Sequence, residues 1–239
     1  MGGSLQGLKF ELCDFGNEAV DIGNNCDALT VLFIANCSST LHTAPGDSLG
    51  CTHLLWGILP KCADLKRFCF HGNTAECASL GDRDLCLLAR FCPHLAQLHI
   101  QSQRAMFGEA ALSCVAVMCT KLKNLKLLVP TAFTDRTVDA IAANLVSLRK
   151  LHIHNLQLRK PCTLRGLAEG CRPLQELCIT KGNAQVTEAE LLYLVKHTQE
   201  LRLLAIGKWE HLDFRDRWDG IQPHASAAED LLRLGIGNS

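Results

Sequence analysis

One pattern constrains this chain more than any other: L-x-x-L-x-(I/L/F) recurs in phase along most of its length. It stands at Leu5-Leu8-Phe10, Leu29-Leu32-Ile34, Leu65-Phe68-Phe70, Leu95-Leu98-Ile100, Leu122-Leu125-Leu127, Leu148-Leu151-Ile153, Leu174-Leu177-Ile179 and Leu201-Leu204-Ile206. Successive first positions are 24, 36, 30, 27, 26, 26 and 27 residues apart. The last two apolar positions of each motif alternate, as in a strand that buries one face and shows the other. Upstream of most motifs the apolar residues fall at helical spacing, as in Leu85, Leu88 and Ala89, or Leu112, Val115 and Ala116. A unit of one strand and one helix cannot bury its apolar faces alone, so it must stack on its neighbours.

Smaller features keep the same phase. Three residues before the leading Leu stand Cys26, Cys62, Cys92, Cys119 and Cys171, with Leu145 and Thr198 in that place elsewhere. Each helix follows a polar turn, such as Phe107-Gly108-Glu109, Phe133-Thr134-Asp135 or Val186-Thr187-Glu188. An acidic or hydroxyl side chain there suits a helix start, where backbone N–H groups lack partners. Three residues after the strand, Cys13, Cys37 and Asn73 suit a buried polar ladder that would satisfy the turn backbone, but Gln103, Pro130 and Leu156 leave it incomplete.

Together, the L-x-x-L-x-I strand, the polar turn, the x-x-Leu-x-x-(Leu/Ile)-Ala helix and the closing Cys resemble the cysteine-containing leucine-rich repeats of F-box substrate receptors. The resemblance covers about residues 5–206 and implies an α/β solenoid of about eight repeats, ribonuclease-inhibitor-like. A curved parallel sheet would line its concave side and helices its convex side. One domain, 1–239, is expected, with 38–50 as an inserted loop and 207–239 as a C-terminal cap built on Trp209, Leu212, Phe214, Trp218 and an amphipathic helix over 225–234. In that family the repeats hold the substrate of a cullin-type ubiquitin ligase, while a separate F-box binds the adaptor. The implied role is therefore substrate recognition within an F-box-type ligase, and a free-standing leucine-rich-repeat scaffold is the alternative. No F-box-like segment precedes Leu5, so the adaptor is expected to be reached only through an F-box not present in this chain.

Composition narrows the classes further. The chain has 239 residues, 48% hydrophobic and 20% charged, enough for a well-buried domain, and 24 basic residues balance 24 acidic ones. That balance supplies no overall drive towards nucleic acid or an anionic membrane. The N-terminus lacks a signal-peptide pattern, and Gln6 stands where a myristoylation start needs Ser or Thr. Fourteen cysteines, several at one recurrent apolar position, read as reduced core thiols, which places the protein in the cytoplasm, the nucleus or both.

If the strands alternate as expected, Arg67, His71, His99, Gln101, Lys126, Leu128, Lys150, His152 and His154 face the concave side and form the partner-binding surface. The patch suits an acidic or phosphorylated protein segment, and histidine protonation below about pH 6.5 is expected to strengthen it. Leu128 and Phe33 are the expected apolar anchors. Cys69 beside His99 and Cys178 beside His152 mimic a thiol–imidazole couple, but neither pair has an orienting third group or a metal-ligand spacing. The chain is expected to be no enzyme and to hold no metal or cofactor.

Overall fold

The structure is a computed structural model that describes residues 5–15, 26–39, 52–72, 79–160, 162–181 and 186–207. Eight strands form one sheet: β1 Gly7–Glu11, β2 Val31–Ala35, β3 Arg67–Gly72, β4 Gln97–Ser102, β5 Asn124–Leu128, β6 Lys150–His154, β7 Glu176–Thr180 and β8 Leu203–Gly207. Each pairs in parallel with the strand before and after it in the chain. Among the described residues the connections hold six α-helices: α1 Thr52–Ile58, α2 Asp82–Phe91, α3 Glu109–Met118, α4 Asp135–Asn144, α5 Thr163–Gly170 and α6 Glu188–His197. None of these is long and apolar enough to cross a membrane. Every L-x-x-L-x-I motif places its last two apolar residues on one of the eight strands, as the sequence implied.

The helices cover one face of the sheet. Leu32, Ile34, Phe68, Phe70, Leu98, Ile100, Leu125, Leu127, Leu151 and Ile153 are buried there in one cluster with the helix residues Leu85, Leu88, Leu112, Val115, Val138, Ile141, Leu164 and Leu167. The recurrent cysteines have a specific task. Cys62, Cys92, Cys119 and Cys171 each end a helix, and their carbonyls, like that of Cys26, accept the N–H of the following leucine, as in Leu95 N to Cys92 O at 3.1 Å and Leu122 N to Cys119 O at 3.0 Å. The thiol of the next unit reaches the same carbonyl: Cys62 Sγ to Cys26 O at 3.0 Å, Cys92 Sγ to Cys62 O at 3.6 Å, and Cys119 Sγ to Cys92 O at 3.6 Å. A thiol is small and apolar enough for the core, yet still donates weakly to a helix-end carbonyl. Burial drives the Cys92, Cys119 and Cys171 thiols up to about 12, so they stay protonated, and all three are free.

A second set of bonds joins the helix starts. Asp82 Oδ1 accepts from Gly108 N at 2.7 Å. Glu109 Oε1 accepts from Thr134 N, Thr134 Oγ1 and Thr137 Oγ1 at 2.7, 2.6 and 3.0 Å. Asp135 takes Thr163 Oγ1 at 2.5 Å and the backbone N–H groups of Arg159 and Lys160 at 3.0 and 3.2 Å. Glu190 takes Cys162 N at 2.7 Å. Burial works to raise the pKa of Glu109 and Asp135, but these donors outweigh it and hold both carboxyls below their ordinary values. The acidic first-turn residues thus cap a neighbouring unit, and Glu190 also accepts from Thr187 N at 3.1 Å at the start of its own helix.

The turn after the strand carries the expected ladder in part. The Cys37 thiol bonds to the backbone and thiol of Cys13 in the unit before and also locally to Ala35 O at 3.2 Å, while Cys13 bonds to Glu11 O at 3.4 Å. Asn73 lies outside the described residues. At the later turn Asn155, with φ 59°, donates Nδ2 to Pro130 O at 2.8 Å, so an asparagine one position earlier does what Leu156 cannot. Asparagine tolerates this left-handed backbone better than most residues. Of the expected inserted loop, Ser38–Ser39 pairs with Asp14–Phe15, while 40–50 lies outside the described residues, as do 208–239 of the expected cap.

Gly170 marks the closest helix approach. A Cβ there would lie 2.0 Å from Ala142 O, a backbone atom of α4 that no rotamer change can move. Helix propensity alone favours Ala over Gly by about 1 kcal/mol, whereas forcing α5 off α4 costs about 1–3 kcal/mol. The clash wins because its partner is backbone. Gly170→Ala is therefore expected to lower the melting temperature by a few degrees, by about 2–4 °C per kcal/mol. A melting temperature at or above that of the parent chain contradicts this packing.

Candidate functional site on the open sheet face

Because side chains alternate, the residues between the buried leucines and isoleucines emerge on the face opposite the helices. The ladder register aligns them into rows. The central row runs Phe33, Cys69, His99, Lys126, His152, Cys178 over six adjacent strands. The row before it holds Arg67, Gln97, Asn124, Lys150 and Glu176, and the row after it holds His71, Gln101 and Leu128. His154 lies beside Thr180 on the far side, where the β5–β6 ladder has already ended at Leu127 and Ile153. All nine residues expected from the sequence thus belong to the non-helical face, and most share contiguous rows.

Neighbouring strands lie ~4.8 Å apart, so these side chains shield one another from water. Phe33 meets His71 edge-on at 5.1 Å between ring centres, and His71 meets His99 in the same way at 4.7 Å. His152 is only 5% exposed and Cys178 only 2%, so both form the floor of the face. Arg67 is exposed, while His71, His99, Gln101, Lys126, Leu128, Lys150 and His154 are half-buried. Phe33 and Leu128 are half-buried as well, which leaves each an accessible edge of the kind an apolar anchor needs.

Two expectations about charge need correction. Burial pushes His99 and His152 down to about 3, and the adjacent Lys126 adds to this for both. The cause for His154 is again burial first, then Lys181. His99 and His152 therefore stay neutral across the physiological range, and neither adds charge to the patch near pH 6.5. The second correction concerns Lys150, whose Nζ sits 2.9 Å from Glu176 Oε1. Glu176 stands one strand over in the same row, so Lys150 is already engaged with a carboxylate instead of being held out for a partner.

Lys126 is different. Burial lowers its pKa, and among the described residues no carboxylate lies within ion-pair distance of it. The buried Nε2 of His99 next to it also has no hydrogen-bond partner. A desolvated cation without a counter-charge is costly, and a carboxylate or phosphate placed above it removes that cost. The centre of the face is thus a partly dry platform of neutral imidazoles around one desolvated cation.

The Cys69–His99 and Cys178–His152 pairs are strand neighbours, as the spacing implied. Their ionisation opposes a thiolate–imidazolium couple. Burial raises Cys69 and drives Cys178 up to about 12, while the imidazoles are driven down. Among the described residues no three His, Cys, Asp or Glu side chains converge as a metal site.

Sequence reasoning missed Glu176 as the partner of Lys150, and it missed the inter-unit role of Asp82, Glu109, Asp135 and Glu190. The signal for the second was present in the polar turn that recurs before each helix. Reach from one unit into the next is what periodicity within a unit does not display. No family model matches this chain.

Proposed function

We propose that the chain is a protein-interaction module of the leucine-rich-repeat solenoid type, curved with the open sheet face on its concave side, and that this face binds an acidic or phosphorylated segment of a partner. The observation that carries the reading is Lys126: a desolvated cation with no carboxylate nearby, centred among neutral histidines and flanked by the half-buried Leu128. The repeat resemblance favours substrate recognition for an F-box-type ubiquitin ligase, with a free-standing scaffold as the second reading. The reading gives the Cys69–His99 and Cys178–His152 pairs no catalytic part, because burial raises these thiols and lowers these imidazoles, the wrong ionisation states for attack. Twelve described cysteines are free, which suits a reducing cytoplasm or nucleus.

Lys126→Glu is the probe of choice, because Lys150→Glu would set two carboxylates of adjacent strands against each other and cost stability instead. Proteins co-purifying with residues 1–239 should be lost with Lys126→Glu. An acidic partner should lose chiefly association rate, and more so at low salt. An unchanged partner set rules out the open face. Nothing in residues 1–239 resembles an F-box, so those residues alone should recover substrate without the ligase adaptor. Direct recovery of the adaptor overturns the expected division of labour.

A further inference from the structure

The edge of the sheet at the strand starts carries a second charged surface, away from the rows described above. Leu65, Leu95, Leu122 and Leu148 are buried, and the residue after each turns outward as the strand begins. Those residues are Lys66, Ala96, Lys123 and Arg149. Backbone bonds hold them in step. Lys66 O accepts from Ala96 N and Gln97 N at 2.8 and 2.9 Å, and Ala96 O accepts from Lys123 N and Asn124 N at 2.8 and 3.1 Å. Lys123 O accepts from Arg149 N and Lys150 N at 2.7 and 3.0 Å. The three cations therefore lie on one line across four strands, about 15 Å long at ~4.8 Å per strand.

The line borders an open groove of about 400 Å³, lined by Lys66, Lys123, Lys121, His94 and Asp64 among others. Lys121 is steadied over it by His94, whose Nδ1 lies 3.0 Å from Lys121 Nζ. Lys66, Lys121, Lys123 and Arg149 are all exposed, and none takes part in the ion pairs formed among the described residues, which are Lys9–Glu11, Lys150–Glu176 and Lys160–Asp139. Asp64 alone offsets them within the groove. In a chain with 24 basic and 24 acidic residues, four unpaired cations gathered on one edge are a segregated field.

We propose that this edge docks an acidic, extended protein segment, which lies across the starts of β3 to β6 along the groove. A length of about 15 Å matches four or five extended residues at ~3.3 Å each, so a short Asp/Glu run spans it. Nucleic acid fits less well. Non-specific duplex binding rests on roughly 6–10 phosphate contacts, more than this edge offers. Single strands add aromatic stacking platforms, and none of the groove residues named is an aromatic of that kind beyond His94. The surface is separate from the Lys126 platform, so either can fail without the other.

The test uses the full chain and a fluorescent peptide of alternating Glu and Asp, with a Gln/Asn peptide of equal length and a poly(U) oligonucleotide of equal charge as controls. The acidic peptide should bind, weaken steeply between low and physiological salt, and bind better than both controls. Lys66→Gln/Lys123→Gln/Arg149→Gln should weaken it about tenfold, since each removes one exposed charge pair. These side chains are exposed, so circular dichroism and melting should match the parent chain. Lys196→Gln, an exposed cation of α6 outside the groove, should leave peptide affinity unchanged. No peptide binding, equal binding of the Gln/Asn peptide, or no loss in the triple variant overturns the proposal. Tighter binding of poly(U) overturns it in favour of a nucleic-acid edge, and loss of peptide only with Lys126→Gln assigns the binding to the open face instead.

Discussion

Leu125→Asp is expected to unfold the middle of the array. Leu125 is 1% exposed and sits at the centre of β5, paired in register with Leu98 on one side and Leu151 on the other. A carboxylate there has no buried partner and loses its hydration, a change that costs several kcal/mol even after the group protonates. Domains of ordinary stability have about 5–15 kcal/mol in all. Each unit of such an array is supported only by its neighbours, so damage at β5 removes support from β4 and β6 together. Amide exchange should show lost protection in β4, β5 and β6 before β1 or β8. Leu125→Ala should cost less, about 2–5 kcal/mol, because it leaves a cavity and no charge. Equal melting of Leu125→Asp and the parent chain contradicts the placement of β5 in the core.

Acid should destabilise this protein earlier than carboxylate titration alone would. His99 and His152 are held at about 3 in the fold, by burial first and then by Lys126, with Lys150 adding to the effect on His152. In the unfolded chain both take up a proton near pH 6.5. Between those values the unfolded state binds more protons, so stability is full above pH 6.5 and falls as pH drops towards 3. At pH 5 the gap is about 1.5 pH units, or about 2 kcal/mol for each histidine. The capped carboxyls act lower: Glu109 and Asp135 have depressed values, so their contribution is present above the ordinary carboxylate range and is lost below it. Urea midpoints from pH 7.5 to 4.5 should therefore fall for the parent chain and stay flatter for His99→Gln/His152→Gln. A parent midpoint constant across that range refutes the neutral, buried assignment.

The array itself was legible before any coordinates. The alternation in each L-x-x-L-x-I segment and the helical spacing upstream of it required strands and helices in turn. The near-constant 26–27 residue period required neighbours to stack in register. Those inferences rest on one period of backbone geometry within each unit, which a sequence displays directly. The same reasoning placed Arg67, His99, Lys126 and His152 on the uncovered face. It also identified the phase of the closing cysteines, though not the carbonyl that each thiol reaches.

What only the tertiary structure decided is how those residues behave. Whether His99 is a pH-sensitive cation or a neutral ring depends on water exclusion by side chains from β3 and β5, and on Lys126, which lies 27 positions away in the chain. Lys150 belongs to an ion pair because Glu176, 26 positions on, is brought beside it by the β6–β7 register. Glu109, Asp135 and Glu190 cap units other than their own, and Gly170 is required by the backbone of Ala142 in another helix. Periodicity determines which face a side chain occupies. Charge state, pairing and close approach are set by contacts between units, and these form only once the strands have stacked.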